Sequence, residues 1–161
     1  MSVNVIPLRL ERIGEVQELM DLGGPHLQAR TLSDYWLYAT LFSSTCPLAI
    51  DDDGTVIGAV MVFRSQDEPS DVYIQDVIAH PRHRRRGITR ELLRSVRSQA
   101  EVWGCRRLYL TSEPGNEVAH ASWAALGFVN VSGDREVDGV SVITDFKGRG
   151  RSRAVNEVLL S

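Results

Sequence analysis

The sequence has 161 residues, of which 43% are hydrophobic and 24% are charged, with a formal net charge of −3. A chain of this length fits one compact domain, so we expect residues 1–161 to form a single domain. The composition excludes disordered, collagen-like and low-complexity chains. The two cysteines have neither the number needed for a disulfide framework nor the spacing of a zinc site, so we expect no metal and a reducing compartment.

The N-terminal residues predict neither a signal peptide nor a membrane anchor. Arg9, Glu11 and Arg12 stand where a signal peptide needs an apolar run. No window of the sequence approaches the roughly 18 apolar residues of a membrane span. We therefore expect a cytoplasmic protein with no membrane partner.

The first half of the chain predicts two helices followed by three strands. Apolar residues at helical spacing predict helices over residues 10–22 and 31–42, the first ended by the Gly23-Gly24-Pro25 turn. Three β-like runs follow, at residues 47–50, 56–63 and 72–79. The first two are separated by an Asp53-Gly54 turn, which predicts an antiparallel hairpin.

The second half alternates helices and strands. Periodicity predicts helices over residues 86–103 and 117–126, and strands over residues 108–111, 128–131, 140–143 and 154–160. Strands that alternate with helices imply local parallel pairing through right-handed crossovers. The chain is therefore expected to be an α/β protein.

The junction between the third strand and the next helix predicts an anion-binding loop. Unsatisfied N–H groups and a positive dipole end favour phosphate at a helix N-terminus, and Gly87 allows the backbone to approach a ligand closely. Three consecutive arginines precede this glycine: Arg84, Arg85 and Arg86. The loop lacks the Lys-Ser/Thr of a P-loop and has only one glycine of the dinucleotide fingerprint, so both of those classes are excluded.

Two segments carry a resemblance to a known family. Arg84-x-x-Gly87-x-Thr89, after a strand that ends at His80-Pro81, is similar to the acyl-CoA motif of the GNAT N-acetyltransferase superfamily, with threonine where that motif has a small residue. Asn116-x-x-Ala119, followed by Gly127-Phe128, resembles the second CoA-proximal segment of that family.

The chain also resembles the diaminobutyrate acetyltransferases of ectoine synthesis. The positions that carry this resemblance are Tyr35, Phe42, Thr45, Cys46, Gly58, Phe63, Arg64, Pro69 and Tyr73 to Val77. Within that last run the chain has Gln75-Asp76, where those enzymes have Trp-Gln.

The resemblance implies a mixed, mostly antiparallel central sheet flanked by helices, with a V-shaped cleft between two central parallel strands. It implies acetyl-CoA as the acyl donor and direct attack of a primary amine on the thioester, with a backbone N–H near Ile78 holding the oxyanion. A homodimer is common in the family. The implied cofactor-binding residues are Val77, Ile78, Ala79, Arg84, Arg85, Arg86, Gly87, Ile88, Thr89, Asn116 and Ala119.

Asp76 stands out as a carboxylate within an apolar strand. It is either paired with a neighbour such as Arg64 or His80, or exposed where it orients the acceptor amine or a water. His80 and His120 are alternatives for proton transfer. The family's usual tyrosine acid is replaced by Trp123, which leaves Ser122, His120 or solvent to protonate the thiolate. The predicted catalytic residues are Asp76, Ile78, His120 and Ser122.

The acceptor is expected to be a small primary amine, either amino-acid-like, a diamine or an amine antibiotic. Helical spacing places Asp34 and Tyr38 on one face of the second helix, where they could line an acceptor pocket. The predicted substrate-binding residues are Asp34, Tyr38, Gln75, Asp76 and Glu113, and Asp138 and Asp145 are further candidates to recognise a cationic amine.

Two other functions remain open. The arginines that continue along the next helix (Arg90, Arg94 and Arg97) fit a solvated helix face, but the run as a whole would also fit RNA binding or acyl transfer from aminoacyl-tRNA. No aromatic residues interleave with the arginines between Pro81 and Val102. A CoA-binding sensor without catalysis is the third possibility.

Overall fold

The computed structural model describes residues 3–160, and their contacts divide into two compact units. The first unit takes the described chain up to Phe63 together with Ile74–Trp103. The second takes Arg64–Tyr73 and the described residues from Gly104 onward. Each unit holds several strands and at least one helix. The prediction of a single domain stays a prediction.

The first unit combines helices with part of a mainly antiparallel sheet. Its elements, in chain order, are β1 (Asn4–Pro7), α1 (Ile13–Met20), α2 (Leu32–Leu41), β2 (Pro47–Ile50), β3 (Val56–Arg64), the later part of β4 (Asp71–Ala79) and α3 (Ile88–Val102). The strands lie in the order β1-β2-β3-β4. β2 pairs antiparallel with β1 and with β3, and the second pairing is the hairpin that the Asp-Gly turn predicts.

The core of the first unit lies between the apolar faces of its helices and strands. α1 buries Val16, Leu19 and Met20, and these pack in one cluster with Tyr35 of α2 and Ile78 of β4. The alternate residues of β4 that point to this side are buried, and Asp76 is one of them. The strand pattern therefore places one carboxylate inside an apolar face.

Gly58 in β3 allows α3 to lie close against the strand. A Cβ atom at this position would meet Ile88 Cγ2 at 2.5 Å and Leu92 Cδ1 at 3.1 Å, and the first distance is shorter than real contacts allow. Because Ile88 is the first residue of α3, the absent side chain fixes where that helix begins relative to the sheet of its own unit.

The second unit is built on a parallel pairing at the start of β4. Asp71, Val72 and Tyr73 at the start of β4 pair in parallel with the first three residues of β5 (Arg107–Ser112). β9 (Ala154–Leu159) runs antiparallel between β5 and β6 (Val129–Asn130). The helix α4 (Glu117–Ala125) and a separate hairpin of β7 (Arg135–Val137) and β8 (Val140–Val142) complete the unit.

The sequence-based elements agree with the structure except at their ends and at two short strands. The predicted mixed, mostly antiparallel sheet with flanking helices is confirmed. The predicted helix over residues 10–22 begins later, because Leu10–Arg12 form a 3₁₀ turn. The helix predicted over residues 86–103 begins at Ile88, because Gly87 adopts a left-handed conformation that a helix interior excludes. β1 and β7 were not predicted. The V-shaped cleft stays a prediction.

No helix within residues 3–160 has the length and apolar character needed to cross a membrane.

Asp71 joins the start of β4 to two arginines of the second unit. Its carboxylate accepts hydrogen bonds from Arg106 Nε at 2.8 Å and from Arg107 Nη2 at 3.2 Å, and Arg107 also donates to Glu157 at 2.9 Å. Burial raises the pKa of Asp71, but the two arginines outweigh it and hold the pKa below its ordinary value.

The lowered pKa makes stability depend on pH through Asp71. A carboxyl whose folded pKa is below its unfolded value stabilises the fold above the unfolded pKa, and this contribution is lost as the pH falls through the folded pKa. We expect Asp71→Asn to lower the free energy of unfolding by about 2 kcal/mol at pH 7. The difference from the wild type should shrink as the pH falls below about 4. Urea unfolding at several pH values measures this, and a difference independent of pH would contradict it.

Candidate cofactor and acceptor sites

The turn after β4 is fixed by His80. Its backbone N–H donates to the carbonyl of Ile57 at 2.7 Å, and its Nδ1 accepts from the N–H of Arg82 at 3.1 Å. Burial and the neighbouring His83 and Arg82 lower the pKa of His80. The imidazole therefore caps the 3₁₀ turn Pro81–His83, and its Nδ1 is engaged in that bond.

The backbone between this turn and α3 contains two residues in the left-handed region. Arg85 and Gly87 both have positive φ angles, of 66° and 75°. A positive φ at a non-glycine residue is uncommon and occurs at ligand-binding turns. We call residues 84–89 the anion loop.

The start of α3 has hydrogen-bond donors to offer a ligand. Gly87 is the N-cap residue and supplies no side-chain cap, and the first intrahelical bond runs from the N–H of Glu91 to the carbonyl of Gly87. The three N–H groups before Glu91 have no partner within the helix itself. Three exposed guanidinium groups precede them in the anion loop, on Arg84, Arg85 and Arg86, and Arg86 Nη1 lies 3.2 Å from His83 Nδ1.

Asp76 is buried and paired, and its partner is Arg30. Arg30 Nε and Nη2 lie 3.2 and 3.1 Å from the two carboxylate oxygens. Of the two interpretations of Asp76, the paired one is correct, and the pair is formed with Arg30, which was not among the named candidates. Arg30 lies in the loop between α1 and α2, where no periodic pattern in the sequence indicates a functional residue.

Asp34 and Tyr38 lie one turn apart on the same side of α2. Asp34 forms a capping box, because its Oδ2 accepts from the N–H of Thr31 while the Thr31 hydroxyl accepts from the N–H of Asp34. Tyr38 packs against Tyr35 and Phe63, with ring centroids 5.8 and 4.7 Å away. Burial and the charge of Asp34 raise the pKa of Tyr38 to about 12. Its hydroxyl is therefore protonated at neutral pH.

Gln75 is half-buried, and its orientation is set by the alternation of side chains along β4. Successive side chains of a strand point to opposite faces, so Gln75 lies on the face away from Asp76. Gln75 and Asp76 therefore cannot both contact a ligand that lies on one face of β4. The remaining β4 residues of the prediction, Val77, Ile78 and Ala79, lead directly into the turn at His80.

The predicted residues of the second unit lie on or next to α4. Asn116 is the N-cap of this helix, and its Oδ1 accepts from the N–H of Ala119 at 3.2 Å, which gives the Asn-x-x-Ala spacing a structural reason. Ser122 is exposed. Trp123 packs edge-on against Phe128 with ring centroids 5.5 Å apart. Both ring nitrogens of His120 are buried and have no hydrogen-bond partner among the described residues.

The three acidic candidates of the second unit lie in turns. Glu113 is exposed just after β5, and its carbonyl accepts from the N–H of Asn116 at 3.2 Å. Asp145 accepts from the N–H of Gly150 at 2.8 Å, so its carboxylate shapes its own loop. Asp138 is exposed in the turn of the β7–β8 hairpin.

Lys147 is the only lysine of the sequence, and no expectation was attached to it. Its Nζ donates to the hydroxyl of Tyr73 at 2.6 Å. The Tyr73 hydroxyl lies 3.4 Å from that of Thr111, and the Tyr73 ring packs on Tyr109. Within residues 3–160, no three His, Cys, Asp or Glu side chains are grouped so that they could hold a metal ion.

Comparison with known proteins identifies the family. The profile of the Acetyltransferase (GNAT) family matches residues 15–128, which include the anion loop, Arg30, Asp76 and α4. The chain belongs to the GNAT family. This membership confirms the predicted family and the GNAT type of the fold.

The curated relatives of this GNAT chain include diaminobutyrate acetyltransferases. The L-2,4-diaminobutyric acid acetyltransferase of Chromohalobacter salexigens is 30% identical over 99 residues, which cover 62% of this chain and 50% of that protein. The GNAT chain thus spans about half the length of the curated relatives it matches. This agrees with the resemblance drawn from residues 35–77.

Solved structures have the same fold. Diaminobutyrate acetyltransferase from Paenibacillus lautus, in complex with L-2,4-diaminobutyric acid and coenzyme A, has a TM-score of 0.75 and 21% identity and covers 96% of this chain and 94% of its own. Ard1 from Thermoplasma volcanium has a TM-score of 0.78 and 13% identity and covers 100% and 99%. At these identities the likeness establishes the GNAT fold.

Proposed function

We propose that this GNAT protein transfers an acetyl group from acetyl-CoA to the primary amine of a small molecule. The anion loop carries the proposal. It combines exposed arginines, a left-handed backbone turn and the unpaired N–H groups of a helix start, an arrangement that suits the pyrophosphate of coenzyme A. The coenzyme A found with the Paenibacillus lautus enzyme supports this donor.

The acceptor is expected to be an amino-acid-like amine. The curated relatives and one solved neighbour are diaminobutyrate acetyltransferases, which supports this class. Gln75-Asp76 stands where those enzymes are expected to have Trp-Gln, and Asp76 is engaged by Arg30. We therefore propose that the acceptor is an amine related to diaminobutyrate, and that its recognition uses the Asp76–Arg30 ion pair.

The reaction proceeds by direct attack in this proposal. The neutral amine nitrogen attacks the thioester carbon and loses a proton, the C–S bond breaks, and the leaving thiolate takes up a proton. A backbone N–H near Ile78 stabilises the oxyanion of the tetrahedral intermediate. Asp76 acts by holding Arg30, because both its oxygens are already bonded. His120 has two buried ring nitrogens with no hydrogen-bond partner among residues 3–160, and we propose it as the group that moves the proton, with exposed Ser122 as the alternative.

Neither cysteine is expected to take part in catalysis. Cys46 is fully buried, its thiol donates to the carbonyl of Val62, and burial raises its pKa to about 12, so it is not a thiolate nucleophile. Cys105 is buried and donates to the carbonyl of Pro69 at 3.4 Å. We expect Cys46→Ala and Cys105→Ala each to keep kcat within about threefold of the wild type. Loss of activity in both single variants, measured by thiol release, would contradict direct attack.

Thermal unfolding with and without acetyl-CoA tests the cofactor. A ligand at 100 times its Kd stabilises a protein by about 2.7 kcal/mol, so a clear rise in Tm is expected. S-acetylpantetheine carries the thioester without the pyrophosphate, and we expect it to give no rise at the same concentration. Equal shifts from both compounds would contradict the anion loop as the site.

A panel of primary amines with thiol release as the readout then tests the transfer itself. Release with amino-acid-like amines supports the proposal. A rise in Tm with no release from any amine would indicate a CoA sensor. The absence of any rise with millimolar acetyl-CoA would favour the RNA-linked alternative, whose affinity for tRNA should fall steeply with salt.

A further inference from the structure

Arg30 is held in place at its backbone and at its side chain, although it lies in a loop. Its N–H donates to the hydroxyl of Tyr35 at 2.9 Å, and its carbonyl accepts from Gln17 Nε2 at 3.0 Å. Its side chain donates twice to Asp76. These partners come from α1, α2 and β4, so three elements of the first unit position one loop residue. Such positioning of a loop residue is typical of binding sites.

The two side chains of the ion pair differ in their exposure to solvent. The Asp76 side chain is 3% exposed, whereas the Arg30 side chain is 37% exposed. A buried carboxylate is costly to desolvate, and a pair of this kind is weak evidence for a purely stabilising role. The arrangement instead keeps a partly exposed guanidinium in one orientation.

The open side of Arg30 has the geometry that binds a carboxylate. A guanidinium has two edges that can each donate a pair of parallel hydrogen bonds. Asp76 takes the edge formed by Nε and Nη2. The edge that includes Nη1 has no acceptor among residues 3–160, so a second carboxylate could bind there.

A second donor is available on the neighbouring helix α2. The hydroxyl of Tyr38 has no hydrogen-bond partner within the part of the chain that the structure describes, and it is near enough to Arg30 for each group to influence the pKa of the other. Its ring is fixed between Tyr35 and Phe63. Asp34 keeps its Oδ2 in the capping box and does not pair with Arg30.

We infer that Arg30, held by Asp76 and assisted by the Tyr38 hydroxyl, binds a carboxylate of the acceptor. The acceptor class is then an amino acid that carries a further primary amine, and neither a simple diamine nor an amine antibiotic without a carboxylate. This inference rests on the proposed function and names the group by which the site selects its substrate. Arg30 and Tyr38 are specificity residues, and Asp76 is a positioning residue.

Pairs of amines that differ only in the carboxylate test the inference. 2,4-Diaminobutyrate and 1,3-diaminopropane form one pair, ornithine and 1,4-diaminobutane a second, and lysine and 1,5-diaminopentane a third. The readout is the ratio of kcat/KM for the amino acid to kcat/KM for its decarboxylated partner. This ratio does not depend on the fraction of protein that is folded. For the best pair we expect a ratio of at least about 30 in the wild type, the size of a charge-assisted hydrogen-bond pair.

Arg30→Lys keeps a cation beside Asp76 but removes the second edge. We expect it to lower the ratio at least about tenfold, chiefly through the KM of the amino acid. Tyr38→Phe should lower it about threefold. The matched control is Arg97→Lys, since Arg97 is also paired with a carboxylate, that of Glu101 on the surface of α3. The control should leave the ratio unchanged.

The outcomes separate this inference from the proposed function. Acetylation with a wild-type ratio near one, or a ratio unchanged in Arg30→Lys, overturns carboxylate binding by Arg30 and leaves the acetyltransferase intact. If only decarboxylated amines or peptide N-termini are acetylated, carboxylate binding by Arg30 is likewise overturned and the acetyltransferase function stands. If none of the primary amines supports thiol release, both the carboxylate inference and the proposed acetyltransferase function are overturned.

Discussion

Gly87→Asp is expected to raise the KM for acetyl-CoA at least tenfold. Gly87 is the N-cap residue of α3, with a φ of 75°, and it directly precedes the N–H groups at the helix start that the proposed function assigns to phosphate. A carboxylate placed there would occupy these donors in place of phosphate and would repel the pyrophosphate. A tenfold change corresponds to about 1.4 kcal/mol of lost binding, well within the interaction of like charges at a short distance.

Gly87→Asn is the matched control for the charge. Asparagine has the shape of aspartate and tolerates the same left-handed backbone, so it introduces the same bulk and strain without the negative charge. We expect Gly87→Asn to raise the KM for acetyl-CoA by less than half as much as Gly87→Asp does, when both changes are compared as logarithms. Steady-state kinetics at a saturating amine, with Tm as a folding check, give both values. Equal effects of the two substitutions would show that strain, and not phosphate repulsion, is responsible.

The anion loop could be predicted from the sequence because its parts are neighbours in the chain. A buried strand, a His-Pro end, arginines and one glycine at a helix start are enough to infer both the backbone and its ligand class. The same local logic identified the Asp53-Gly54 hairpin and the ends of α2. The start of α3 lies two residues later than predicted, because the left-handed glycine that allows the turn precedes the first helical residue.

Local patterns with two physical meanings were harder to interpret. Asp34 has the spacing of an acceptor-site residue, but it is also the third residue of a capping box that begins at Thr31. Asn116 and Ala119 fit a family motif and equally fit an N-cap. In each case the structure shows the capping contact, and the ligand contact stays a prediction.

Arg30 could not be predicted because its function depends on residues far along the chain. Asp76 lies 46 positions away, and the loop between α1 and α2 has no periodicity that would indicate where the guanidinium points. The short strands β1 and β7 were missed for a related reason, since pairing partners rather than a long apolar pattern define them.

Arg30→Ala is expected to lower the free energy of unfolding by about 3 kcal/mol at pH 7, because removing one partner of an ion pair leaves the other charge buried and uncompensated. The buried partner is Asp76, whose side chain is 3% exposed. Adding Asp76→Asn removes that charge while keeping the size of the side chain, so the double variant should recover at least half of the loss. Urea unfolding of the wild type, both single variants and the double variant measures the coupling between the two sites. A loss below about 1 kcal/mol in Arg30→Ala would place the pair among weak surface contacts, and Asp76 could then not be the group that fixes Arg30 for its carboxylate ligand.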